Sequence, residues 1–169
     1  SNNFVKGSNF TIGNFSTIDA NVEIGNNVIV GNNVSISENC LIGNGVHIMD
    51  GVCIDSSIIG NNVTISQNTV IGKNGFGFHP GYPNSQIFFH FGGVKIGNDV
   101  FIGSNCNIDR GHIDDTIIGD FVRVDNQVHI AHNCEIGKNS ILAGKSAISG
   151  SVKLGENVVL AGDVGIADN

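Results

Sequence analysis

NVEIGNNVIVGNNVSISENCLIGNGVHIMDGVCI, residues 21–54, decides the fold. An aliphatic residue returns at every sixth position: Ile24, Val30, Ile36, Ile42, Ile48 and Ile54. The residue after it is usually small, as at Gly25, Gly31 and Gly43, and the residue two places before it is typically Val, as at Val22, Val28, Val34, Val46 and Val52. Asn pairs such as Asn26-Asn27 and Asn32-Asn33 fill the interval. This spacing fits no α-helical face, whereas Ile and Val favour extended backbone and Asn and Gly favour tight turns and positive φ. Each hexad therefore reads as a short strand and a turn, with the periodic aliphatic side chain pointing inward. Three hexads close one triangular coil, so positions 18 residues apart stack in one column.

The series extends outward from this stretch to Ile12 and Ile18, slips by one residue to Ile59, and continues through Ile65 and Ile71. It returns at Ile96, Ile102 and Ile108, and then runs from Ile118 to Ile166, for 23 steps in all. The expected fold is an all-β parallel β-helix of about 7–8 coils, on the order of 35 Å long at strand-to-strand spacing. Residues 1–169 read as one repeat domain with excursions at 73–93 and 109–117. Only 14% of the residues are charged and the net charge is −7, which argues against a nucleic-acid backbone as partner. No apolar run is long enough to span a membrane. Cys40, Cys106 and Cys134 stand in the Val slot, and with Cys53 they form no CxxC pair. They read as small buried hydrophobes in a reducing compartment.

Departures from the repeat are where function is sought. The stretch KNGFGFHPGYPNSQIFFHFGG, residues 73–93, holds both prolines and six of the eleven aromatic residues, including Phe76 and Phe78. It reads either as packing against a prism or as the wall of a binding pocket. DRGHIDDTI, residues 109–117, reads either as a solvated corner or as a cleft wall. In VDNQVHIAHNC, residues 124–134, Ile130 is the core position and Ala131 takes the small slot, which leaves His132 in the turn. A turn histidine can be a bland surface residue, or a general base if a carboxylate such as Asp125 comes near it on one face or across subunits. Gly150 lies 18 residues beyond His132, in the same column, where its backbone N–H could stabilise an oxyanion.

NGFGF at 74–78, GGVKIG at 92–97, NIDRGHIDDTIIG at 107–119 and DNQVHIAHN at 125–133 occur together in this order. The set resembles the UDP-3-O-acylglucosamine N-acyltransferases of lipid A biosynthesis, within the hexapeptide-repeat proteins. The resemblance implies a left-handed coil, a homotrimer and a site between neighbouring prisms. It also implies transfer of a 3-hydroxyacyl group from the phosphopantetheine of acyl carrier protein to the 2-amine of a UDP-3-O-acylglucosamine. His132 would be the base, Asp125 its support, the Gly150 N–H the oxyanion donor, and Asn133 a residue that positions the carrier arm. Phe76 and Phe78 would contribute to substrate binding. No cofactor and no metal are implied, and the expected location is the cytoplasm, at the periphery of the inner membrane of a Gram-negative bacterium. Members usually carry a leading globular domain and closing helices, which this sequence does not show, as expected of a trimmed or shortened relative.

Two other activities occur on such repeats. A sugar-nucleotide N-acetyltransferase using acetyl-CoA would share the base logic and differ in the acyl length it accepts. A zinc carbonic anhydrase would need three His ligands to meet. A prism without chemistry is the third alternative.

Overall fold

The computed structural model describes residues 4–77 and 88–167. These form 24 short parallel strands in three sheets of eight, with no helix among the described residues. Successive strands go to successive sheets, so the chain winds as a three-sided prism of eight coils. The first sheet runs from Val5–Lys6 to Lys153–Leu154, the second from Thr11–Ile12 to Val159–Leu160, and the third from Thr17–Ile18 to Gly165–Ile166. The eight coils hold one strand more than the aliphatic series shows. The opening strand of the first coil carries Lys6 in the aliphatic slot, paired with Ile24, and so escapes the pattern.

The core consists of the periodic aliphatics and the Val-slot residues, including Cys40, Cys106 and Cys134. In one column Ile24, Ile42, Ile59, Ile96, Ile118 and Ile136 pair in register. Stacked identical side chains bury most of their surface without any helix packing on the outside. Truncating Ile48, which is fully buried, to Ala is expected to cost about 2–5 kcal/mol, measured by chemical denaturation of wild type and variant.

The turns divide labour between Gly and Asn more sharply than expected. Positive φ falls mainly on the second Asn of each pair, as at Asn27, Asn33 and Asn62. The corner glycines are needed instead because coils stack closely. A Cβ on Gly43 would lie 2.5 Å from the Gly60 carbonyl oxygen. The Asn just before the positive-φ position builds a ladder along the prism: Asn26 N–H donates to Asn44 Oδ1, Asn44 N–H to Asn61 Oδ1, and Asn61 N–H to Asn98 Oδ1, each within 2.8–2.9 Å. These bonds satisfy corner N–H groups that the strand ladders leave over.

Candidate active site at the His132 corner

Both breaks in the repeat leave the prism on one edge. The first begins at a register shift between Ile71 and Lys73. Gly72 has φ of +86°, and a Cβ there would lie 1.7 Å from the Asp55 carbonyl oxygen, so only Gly makes this bulge. The chain re-enters through Phe91 and Gly92, whose N–H groups donate to His112 O and Gly111 O at 2.8 and 3.1 Å. The loop of the second break is thereby held against the end of the first.

Two ion pairs brace this edge. Arg110 Nη2 lies 3.2 Å from Asp55 Oδ1, and Lys95 Nζ lies 2.7 Å from Asp115 Oδ2. Asp115 also accepts the Gly93 N–H at 2.7 Å. The hydrogen bond from Lys95, helped by the Gly93 N–H, lowers the Asp115 pKa. A depressed carboxylate stabilises the fold above its unfolded pKa of about 3.9, and that contribution is lost as the pH falls through the folded value. Asp115→Asn should therefore melt lower than wild type near neutral pH, with the difference shrinking below about pH 4. Thermal melts across that range are the check.

His132 stands at the corner after the strand His129–Ile130. Its Nδ1 is 3.1 Å from Asn133 Oδ1. The orientation of the Asn133 amide is fixed by two other bonds: Oδ1 accepts the His112 N–H at 2.9 Å, and Nδ2 donates to Asp114 O at 3.0 Å. Asn133 Oδ1 can only accept from the ring, so Nδ1 carries the proton and Nε2 carries the lone pair. The Nε2 edge lies over Gly150, where a Cβ would come within 2.7 Å of both Cε1 and Nε2. Gly75 also approaches the ring: a Cβ there would lie 3.0 Å from His132 Cδ2 and 3.0 Å from His90 Nε2. A base with its lone pair aimed outward over a bare backbone is an arrangement suited to proton abstraction beside an oxyanion donor.

The corner opens into a groove of about 940 Å³, lined among others by Phe76, Asp109, His129, His132, Ser149 and Gly150. Asp109 is 1% exposed, with Lys73 Nζ 2.6 Å from Oδ1 and His129 Nε2 3.8 Å from Oδ2. Asp109 and His129 line the groove, with Lys73 bound behind them, and offer charge and hydrogen-bonding capacity to a polar ligand. Cys134 is no nucleophile here: burial pushes its thiol pKa up to about 11, and its Sγ donates to Ser149 O. Among the described residues no three His, Cys, Asp or Glu side chains gather so as to hold a metal ion.

The structure thus brings together His132, Gly150, Asn133 and Phe76. Phe78 lies outside the described residues. Asp125 does not meet His132 within the chain. One of its oxygens accepts the Asn126 N–H at 2.7 Å and the other the Gly144 N–H at 3.1 Å, at a different corner of the prism. The amide of Asn133 bonds to the His132 ring and to the 112–114 loop. His129, in the strand before the corner, lines the groove with His132. The sequence reading does not single out His90 or Gly75, whereas Asp109 opens the 109–117 stretch read as a solvated corner or a cleft wall, and it lines the groove.

Three family descriptions match parts of the chain: the GMPPB C-terminal domain over residues 1–76, the hexapeptide repeat of succinyl-transferase over 93–131, and the bacterial transferase hexapeptide over 115–150. A UDP-3-O-acylglucosamine N-acyltransferase of Dechloromonas aromatica is 52% identical over 79 residues, which is 47% of this chain and 23% of that protein. Its counterpart from Bordetella parapertussis is 42% identical over 106 residues, 57% of this chain and 29% of that protein. Over part of its length the chain is similar to UDP-3-O-acylglucosamine N-acyltransferases. It spans about a quarter of the length of these curated relatives. The solved UDP-N-acetylglucosamine acyltransferase of Francisella novicida superposes with a TM-score of 0.82 at 26% identity, covering 92% of this chain and 55% of that one. The enzyme from Campylobacter jejuni gives 0.70 at 26% identity, over 94% and 56%. The fold is accordingly the left-handed parallel β-helix of these acyltransferases.

Proposed function

We propose that this chain carries the acyl-transfer site of a UDP-3-O-acylglucosamine N-acyltransferase, moving a 3-hydroxyacyl group from acyl carrier protein to the sugar 2-amine. The observation that carries the reading is the His132 imidazole, fixed by Asn133 as the Nδ1–H tautomer and laid over Gly150 in the groove. The amine attacks the thioester carbonyl carbon while His132 Nε2 takes its proton. The Gly150 N–H stabilises the tetrahedral oxyanion, and His132 returns the proton to the departing carrier thiol. Neither a metal nor an acyl-enzyme is required by these steps. Asn133 holds the tautomer of the base, and Phe76 on the groove wall supplies apolar surface for the acyl chain. Asp125 enters such a site only from a neighbouring prism of a homotrimer. The described residues contain no helix long and apolar enough to cross a membrane, and a cytoplasmic site facing the inner membrane suits the acyl substrates.

Acyl transfer followed by mass spectrometry tests the reading. The chain is offered UDP-3-O-acylglucosamine or UDP-N-acetylglucosamine as acceptor, with 3-hydroxyacyl-carrier protein or acetyl-CoA as donor. An amide product from the first acceptor and the carrier donor is the expected result. An ester on UDP-N-acetylglucosamine, or transfer from acetyl-CoA alone, overturns the assignment of acceptor or donor.

A further inference from the structure

His90 has no part in the reaction as written above, yet it is the buried neighbour of the base. It is 5% exposed, and its ring meets His132 and His112 edge-on, with centroid separations of 5.3 and 5.4 Å. Its Nδ1 is 3.0 Å from Phe88 O, and a carbonyl can only accept, so the neutral ring carries its proton on Nδ1 and its lone pair on Nε2. That Nε2 and His132 Cδ2 converge on the same bare face of Gly75. His112, at the far end of the row, is exposed to solvent. The row therefore runs from the groove, through a buried ring, to water.

The groups that face His90 come from three elements: His132 from its corner, His112 from the 110–115 loop, and Asp109 from the end of the strand Asn107–Asp109. Burial lowers the His90 pKa, and the two other imidazoles lower it further, while the Phe88 carbonyl and Asp109 oppose this. This setting disfavours the doubly protonated ring.

We infer that His90 is a proton relay acting through His132, which carries to His112 and solvent the proton that a protonated amine substrate must lose before it can attack. The inference rests on the amine-acylation reading above. A sugar amine is basic enough to arrive partly as ammonium near neutral pH. Acylation by a thioester then releases two protons from nitrogen. His132 Nε2 takes the first, which passes to His90 Nε2, and the proton on His90 Nδ1 then leaves the Phe88 carbonyl for His112 and water. The neutral amine attacks, the C–N bond forms, and His132 takes the second proton. The C–S bond breaks, and that second proton goes to the departing sulfur. The sum is one amide, one thiol and one proton released to water for each ammonium and thioester consumed.

The pH profile of kcat/KM separates this role from a structural one. His90→Gln is expected to fall about tenfold below wild type near pH 6, with the deficit narrowing to about twofold near pH 9, where the amine is already neutral. In His90→Ala, added imidazole should restore part of the activity at the acid end. A loss of equal size at every pH, no loss at any pH, or no imidazole rescue overturns the relay. NMR titration of the His90 ring gives a readout without turnover: its midpoint should rise in His132→Gln, because a neighbouring cation is removed, and an unmoved midpoint also overturns the relay. If the wild-type chain transfers no acyl group while the two rings titrate together, the failure belongs to the acyl-transfer reading and not to the relay.

Discussion

His132→Gln is expected to lower kcat/KM for acyl transfer by about 10²–10⁴-fold with little change in melting temperature. The ring sits at a corner, half-buried, and none of the stacked core side chains depends on it. Glutamine keeps a donor for Asn133 Oδ1 but offers no basic nitrogen over Gly150. The loss should fall on kcat more than on KM, because proton abstraction develops in the transition state whereas the groove walls remain. Steady-state kinetics with a thermal melt of the same sample is the measurement. A variant that retains wild-type kcat would remove His132 from the mechanism.

Gly150→Ala is expected to have an effect of comparable kind, about 10²-fold or more on kcat, by a purely steric route. The added methyl would sit 2.7 Å from His132 Nε2 and Cε1, closer than real Cβ contacts occur. Either the ring turns away, breaking the 3.1 Å contact to Asn133, or the backbone that presents the Gly150 N–H shifts. Gly155→Ala is the matched control, since a Cβ there meets nothing within 4 Å. That variant should keep wild-type activity and stability. Equal kinetics for the two alanine variants would show that close approach at Gly150 has no bearing on the base.

Much of the architecture was legible because a hexad is self-contained. Ile at the inward position, a small residue at the corner and Asn at positive φ each answer a local demand, and repetition makes that demand visible. The one strand the pattern missed, Val5–Lys6, has a lysine where the aliphatic should stand. The same column logic found Gly150, because 18 residues of regular coil separate it from His132. It could not pair Asp125 with His132. One hexad plus one residue carries the chain round to another corner, where the carboxylate is held by the Asn126 and Gly144 N–H groups.

The sequence by itself determined the coil, its three faces, the stacking of its core, and the corner from which His132 leaves the prism, because those follow from spacing along the chain. Only the tertiary structure decided what surrounds that corner. His90 reaches His132 from the returning arm of an aperiodic excursion, Asp109 meets Lys73 and His129 across neighbouring coils, and Asn133 fixes the tautomer of the base through bonds to the 112–114 loop. Contacts made by loops that leave the repeat have no period to be read from. They are set by where the chain turns back, and here that is fixed by a single bulge at Gly72 and by the backbone bonds that clamp one break against the other.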